Sequence, residues 1–185
     1  MLDIKVAPRY AKSLLDLGIE QNTLEELFSD MNLISLVCKE NPELILLLKS
    51  PIVRSDKKES ILKEVFFNSL SLTSTTFITL ILKKKREAIL YSIAESFIGL
   101  YKNHHNIKTA KVTTAIALTE VQKEKLVSLL EKSENATIEL NEIVNPEIIG
   151  GMILRVDDRQ IDESIRRKLN NLEMEFDDNP YVKEY

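Results

Sequence analysis

A single cysteine, Cys38, rules out an intramolecular disulfide in this 185-residue chain. It falls within a helical apolar pattern, where a thiol serves as a small buried hydrophobe. Four glycines and no tryptophan point to a helix-rich chain with few elaborate loops. Long apolar runs are also missing: residues 44–48 and 77–82 fall far short of the roughly 20 residues that span a bilayer. Residues 1–9 have neither the apolar core of a signal peptide nor the Arg/Ser-rich character of a transit peptide. The expectation is a soluble protein whose association with a membrane is borrowed from a partner. A net charge of only -4 gives the whole molecule no bulk electrostatic reason to seek nucleic acid or anionic lipid.

Catalytic apparatus is missing too. There is no GxxxxGK[ST] phosphate loop, and no nucleophile, base and orienting group can be assembled from the motifs present. His104-His105 are neighbours on a linker without a nearby cysteine or acidic pair to complete a metal site. Asp157-Asp158 read as turn residues, since adjacent turn carboxylates diverge. No catalytic residue, cofactor or metal is therefore expected.

What is present is periodicity, and it changes once along the chain. Tyr10, Leu14 and Leu17 share a helical face, with Ala7 and Ala11 nearby, and Leu24, Leu27, Phe28, Met31, Ile34 and Cys38 repeat the three-four spacing. Asn41-Pro42 reads as a cap with proline in the first turn of a short third helix, and Ser50-Pro51 ends it. Ser55-Asp56 can cap a fourth helix carrying Ile61, Leu62, Val65 and Phe66. A fifth spans about residues 73–84, and Ile89, Leu90, Ile93, Phe97, Leu100 and Tyr101 define a sixth. Beyond His104-His105 the repeat becomes two: Ala110, Val112, Thr114, Ile116 and Leu118 alternate as in a strand. Thr119-Glu120-Val121-Gln122 is a capping-box pattern for a helix through Leu126, Leu129 and Leu130, and residues 136–144 alternate again.

Residues 145–169, NPEIIGGMILRVDDRQIDESIRRKL, form the most specific unit. Asn145-Pro146 stops the preceding strand, and Gly150-Gly151 permit angles or approaches that a Cβ forbids. Met152, Leu154 and Val156 face one side of a third strand, opposite Ile153 and Arg155, and Asp157-Asp158-Arg159 is the reversal. Asp162 is the expected cap of a last helix whose Ile165, Leu169, Leu172 and Phe176 share a face, with Arg166, Arg167 and Lys168 outward. Asp177-Asp178-Asn179-Pro180 then forms an acidic tail. The fold expected is mainly α with a small α/β module: a six-helix bundle over residues 1–105, then a sheet with two helices over residues 106–185.

This order of elements resembles the C-terminal signature of the delta subunit of F-type ATP synthases, relatives of the mitochondrial oligomycin-sensitivity-conferring protein. Gly150, Gly151, Arg155, Asp162, Ser164 and Leu169 carry the resemblance, within Ile161-Asp162-Glu163-Ser164-Ile165-Arg166-Arg167-Lys168-Leu169 at its end. Arg9-Tyr10-Ala11-Lys12-Ser13-Leu14 is similar to the family's opening R-Y-A-x-A-L helix, and Ser50-Pro51-Ile52-Val53 to its S-P-x-[apolar] linker. Asp158 and Glu163 depart from it, standing where many members have a glycine and a small residue.

The resemblance implies a non-catalytic, single-copy peripheral-stalk subunit at the cytoplasmic face of a bacterial inner membrane. The bundle would bind the N-terminal segments of the alpha subunits on the catalytic head, and the C-terminal module the b subunits of the stalk. It places the head-binding groove between the first and fifth helices, which makes Tyr10, Ser13, Leu14 and Leu17 candidates from one wall and Phe77, Leu80 and Ile81 from the other. No nucleic acid is implied, and the membrane is reached only through the complex. The other reading is a helical RNA-binding or regulatory protein using Lys83-Lys84-Lys85-Arg86.

Overall fold

The structure is a computed structural model that describes residues 3–177, so the acidic tail beyond Asp177 lies outside the described residues. The chain divides into two compact units, Met1–His105 and Asn106–Tyr185.

Six helices build the first: α1 (Asp3–Gln21), α2 (Leu24–Glu40), α3 (Pro42–Lys49), α4 (Ser55–Phe66), α5 (Leu72–Lys83) and α6 (Leu90–His104). A single 3-10 turn, Glu87–Ile89, leads into α6. Helix α6 is central, packing on α1 and α2, and its Leu90, Ile93, Ala94 and Phe97 are fully buried together with Leu27, Met31, Ile34 and Cys38 of α2. Burial pushes the Cys38 thiol up to about 11, which keeps it protonated at neutral pH. The helix ends differ in detail from the sequence reading. Asn41 does sit at the start of α3, but its side-chain amide donates backward to the Val37 carbonyl at 2.9 Å and so closes α2. Arg54, not Ser55, occupies the N-cap of α4, without a side-chain cap bond.

Among the described residues of this unit one charged pair is buried. Lys58 Nζ lies 3.0 Å from Glu87 Oε1 and donates to the Leu48 carbonyl at 2.7 Å, tying the end of α3, α4 and the 3-10 turn together.

The second unit contains β1 (Ile107–Thr114), α7 (Glu120–Glu134), β2 (Thr137–Val144), β3 (Met152–Val156), β4 (Arg159–Asp162) and α8 (Ile165–Asp177). The sheet order is β2-β1-β3-β4, with β1 and β2 parallel and the other pairs antiparallel. A parallel pair needs a crossover, and α7 supplies it. It begins at the predicted capping box of Thr119 and Gln122 and ends at Asn135, which takes the left-handed conformation. Ala110, Ile138 and Val156 form a small core, against which Val127, Leu130, Leu140 and Leu154 pack.

Two differences from the sequence reading follow from edges. Strand β1 stops at Thr114, where its pairing with Val144 of β2 and Met152 of β3 ends, so Ile116 projects into solvent although it continues the alternation. A fourth strand, Arg159–Asp162, pairs with β3 directly after the Asp157-Asp158 reversal. Three of its four residues are polar, as suits an edge strand, and that hid it from the alternation test.

Candidate functional site

Helix α1 packs most closely on α6, and α5 on α4 and α2, which leaves α1 and α5 to flank an open groove of about 630 Å³. Helix α5 is fixed at its start by Asp30 of α2, whose Oδ2 accepts from the Ser71 amide at 3.0 Å and the Ser71 hydroxyl at 2.6 Å. The same hydroxyl accepts from the Ser74 amide, capping the helix. Tyr10, Ser13, Leu14 and Leu17 line the groove from α1, and Phe77 and Leu80 from α5. Six of the seven candidates are therefore brought together. Ile81 is not among the lining residues: it is 1% exposed and belongs to the bundle core. Leu14 does both jobs, lining the groove while only 2% exposed, whereas Leu17 and Leu80 are open to solvent.

Gln21, Leu72, Thr73 and Thr76 complete the lining, and the sequence reading missed them. The steps from Leu80 back to Thr76 and from Thr76 to Leu72 are each one helical turn, Thr73 lies two turns before Leu80, and Gln21 lies one turn beyond Leu17, so extending the two predicted faces reaches all four. Among the described residues no charged side chain lines this groove, so what it offers is apolar area with a few hydroxyls and one amide. That composition suits the apolar face of a helix better than a small polar substrate.

The signature residues of the second unit make a backbone clamp. Gly151 has φ +76, and a Cβ there would collide with the Glu163 carbonyl, so this position requires glycine on two grounds. The Glu163 amide donates to the Met152 carbonyl and the Ile165 amide to the Gly150 carbonyl, both at 2.9 Å. The strand and the start of α8 are thus laced together. At Gly150 a Cβ would meet only the end of the Ile165 side chain at 2.8 Å. Ser164, 2% exposed, caps α8 by accepting from the Arg167 amide at 3.1 Å. Asp162, the expected cap, stands two residues earlier: its Oδ1 accepts from the Ser164 amide at 2.9 Å. The Ser164 hydroxyl and amide hold its carboxyl below the usual range. Arg155 donates to the Asp157 carbonyl across the reversal, where Asp157, not Asp158, takes the positive φ.

Past the clamp, α8 turns an unpartnered face outward. Ile165, Leu169, Leu172 and Phe176 recur at helical spacing and all are exposed, Phe176 by 84%. Ile149, beside the clamp, is exposed as well and has φ 68, a strained setting for a β-branched residue.

The remaining sequence candidates occupy helix ends. Lys83 closes α5, and Lys84, Lys85 and Arg86 follow it into solvent, where cations are favoured at a helix C-terminus. His104 ends α6, and His105 lies 3.9 Å from the Glu25 carboxylate, to which Tyr101 donates at 2.8 Å. Among the described residues no three His, Cys, Asp or Glu side chains are grouped to hold a metal ion.

The family model described as "ATP synthase delta (OSCP) subunit" matches residues 6–176, almost the whole chain. The chain belongs to that family. It is 38% identical to the ATP synthase subunit delta of Cytophaga hutchinsonii, over 95% of this chain and 96% of that one. It is also 35% identical to the subunit delta of Desulforudis audaxviator, over 93% and 94%. A chain in the cryo-EM structure of the Toxoplasma gondii mitochondrial ATP synthase hexamer has the same fold, with a TM-score of 0.71 over 94% of this chain and 98% of that one at 19% identity. As a delta/OSCP subunit it is a peripheral-stalk component of an F-type ATP synthase, and the RNA-binding alternative is not favoured. That complex is membrane-associated, while among the described residues no helix is long and apolar enough to cross a membrane.

Proposed function

We propose that this chain is a non-catalytic tether with two grips. The first unit holds the N-terminal segments of the alpha subunits at the crown of the catalytic head, and the second holds the cytoplasmic end of the b-subunit stalk. Rotor torque drives synthesis only if the head is kept from turning with the rotor, and a tether supplies that restraint without chemistry of its own. On this reading the subunit is present once per complex, peripheral, on the cytoplasmic face of a bacterial membrane.

The observation that carries the reading is the apolar groove between α1 and α5, which is open, uncharged and sized for one helix face. The exposed stripe of Ile165, Leu169, Leu172 and Phe176 supports the second grip, since beyond the Ile165 contact at Gly150 it leaves Leu169, Leu172 and Phe176 largely in solvent. The test uses the full chain and a peptide of the alpha-subunit N-terminus. Leu80→Asp places an unpaired charge in the groove at a residue 46% exposed, so the fold should survive and binding should fall by tenfold or more, by about 1.4 kcal/mol or more. Native circular dichroism with unchanged affinity would show that the groove is not the grip.

A further inference from the structure

The groove is uncharged inside, but its two ends are not alike. Beside it, sharing Tyr10 and Ser13, lies a second cleft of about 360 Å³ that Arg9 and Arg86 close. Arg86 follows the end of α5 and Arg9 stands near the start of α1, so the two helices run in opposite directions along the groove. Among the described residues neither guanidinium is engaged in an ion pair, and both residues are exposed. Lys84 and Lys85 next to Arg86 add positive charge at the same end.

Along α1 the sign reverses. Arg9, Asp16 and Glu20 recur at steps of seven and four, which puts them on one side of the helix, next to the groove-lining Ser13. The rim therefore runs from cationic at Arg9 to anionic at Glu20. Eleven residues of helix separate those two positions, about 16 Å at 1.5 Å per residue. That is about twice the screening length at physiological salt, so each end acts on whatever charge is placed against it and the two do not cancel.

We infer that the groove accepts its partner helix in one direction only, with carboxylates on the partner at the end that meets Arg9 and Arg86. This rests on the groove being the head-binding site. The apolar lining supplies affinity without direction, because an apolar stripe can lie either way in a slot that carries no charge. The charged ends supply direction: reversing the partner sets carboxylates against Asp16 and Glu20 and leaves Arg9 and Arg86 without a counter-charge. The partner is accordingly an amphipathic helix of about three turns, acidic at one end of its apolar face and neutral or basic at the other.

The test uses the full-length chain and two designed helical peptides with the same apolar stripe. One carries glutamates at one end and lysines at the other, and the second carries lysines at both ends. The acidic-ended peptide should bind roughly tenfold more tightly at low salt, with the difference shrinking at high salt. A nitroxide on its acidic end should broaden amides near Arg9 and Arg86 much more strongly than those near Gln21 and Leu72. Arg9→Glu with Arg86→Glu should abolish or invert the preference, while Arg9→Gln with Arg86→Gln should only weaken it. Equal affinities, or equal broadening at both ends of the groove, would overturn the directional inference. Loss of neither peptide on Leu80→Asp would instead defeat the groove as the site.

Discussion

In the first unit Phe66, Phe97, Leu27, Ile34 and Ile93 are wholly enclosed, and a charged pair is enclosed with them. In the second, no residue of α7 is buried, and α8 leaves Ile165, Leu169, Leu172 and Phe176 in solvent. Both are built by amphipathic patterning, but they use it differently. The bundle covers its helices with each other and reserves one groove. The sheet unit buries no aromatic side chain among its described residues, its core being made of smaller ones such as Ala110, Val112, Ile138, Ile148 and Val156, and it holds its last helix by backbone hydrogen bonds at the Gly150-Gly151 clamp. A unit that keeps a small core and an outward apolar face depends on its partner and on a few positions where the chain passes close to itself. A unit with a large core depends on its interior.

The largest expected effect therefore lies inside the bundle. Lys58→Ala leaves Glu87 buried without its partner, and Glu87 Oε2 already lacks a hydrogen bond. The loss should be about 3–5 kcal/mol in denaturant unfolding, confined to the first unit. Lys58→Met combined with Glu87→Leu should recover most of it. A single substitution that costs under about 1 kcal/mol would mean that water reaches the pair and the interior is less closed than the burial implies.

Second in size is Gly151→Ala, which meets both a positive φ and the Glu163 carbonyl. It should destabilise the second unit by about 1–3 kcal/mol and leave the bundle untouched, as read by amide exchange on the intact chain. Gly150→Ala should cost less, because only the tip of the Ile165 side chain must move. Equal effects at the two glycines would remove the backbone clamp as the reason for the pair.

Third, Ser164→Ala removes the cap of α8 and should cost about 1 kcal/mol, again within the second unit. The sequence pointed to Asp162 for this role, and the reason it did so is instructive. Asp162 and Ser164 are both good capping residues two positions apart, and only the extension of β4 through Asp162 decides between them. The same limit recurs elsewhere. Alternation reported which side Ile116 faces but not that strand pairing had ended at Thr114. Helical spacing puts Tyr10, Ser13, Leu14 and Leu17, which the resemblance nominated for the groove, on one arc of α1, and that arc lines the cleft. On α5 it could not separate Leu80 from Ile81, which are 100° apart on the helix and both apolar; the packing of α5 decided which one turned inward. Period and chemistry were legible in single residues. Termination, edge pairing and the choice between apolar neighbours were not, because each is set by elements distant in sequence.

The smallest expected effect is acid sensitivity, and it also separates the two units. Glu134, Glu142 and Asp162 of the second unit are all held below the usual carboxylate range. Glu134 is lowered chiefly by the hydrogen bond from Lys108, Glu142 by the Leu118 amide and then Lys123, and Asp162 by Ser164. In the first unit Glu95 is the comparable group among those described; burial pushes it up, but hydrogen bonds from Ser35 and Lys39 outweigh burial and lower it. A carboxylate lowered on folding stabilises the native state at neutral pH. That stabilisation begins to fade as pH falls past the ordinary values of 4.5 for the glutamates and 3.8 for Asp162, and is gone below the folded-state values. With three such groups against one, on the smaller core, the second unit should lose amide protection first when the intact chain is taken from neutral pH to about pH 3. Glu134→Gln with Asp162→Asn should flatten its acid response while lowering its stability at neutral pH. If the bundle opened first, or if both units opened together with the variant unchanged, these hydrogen-bonded carboxylates would not be what distinguishes the two halves.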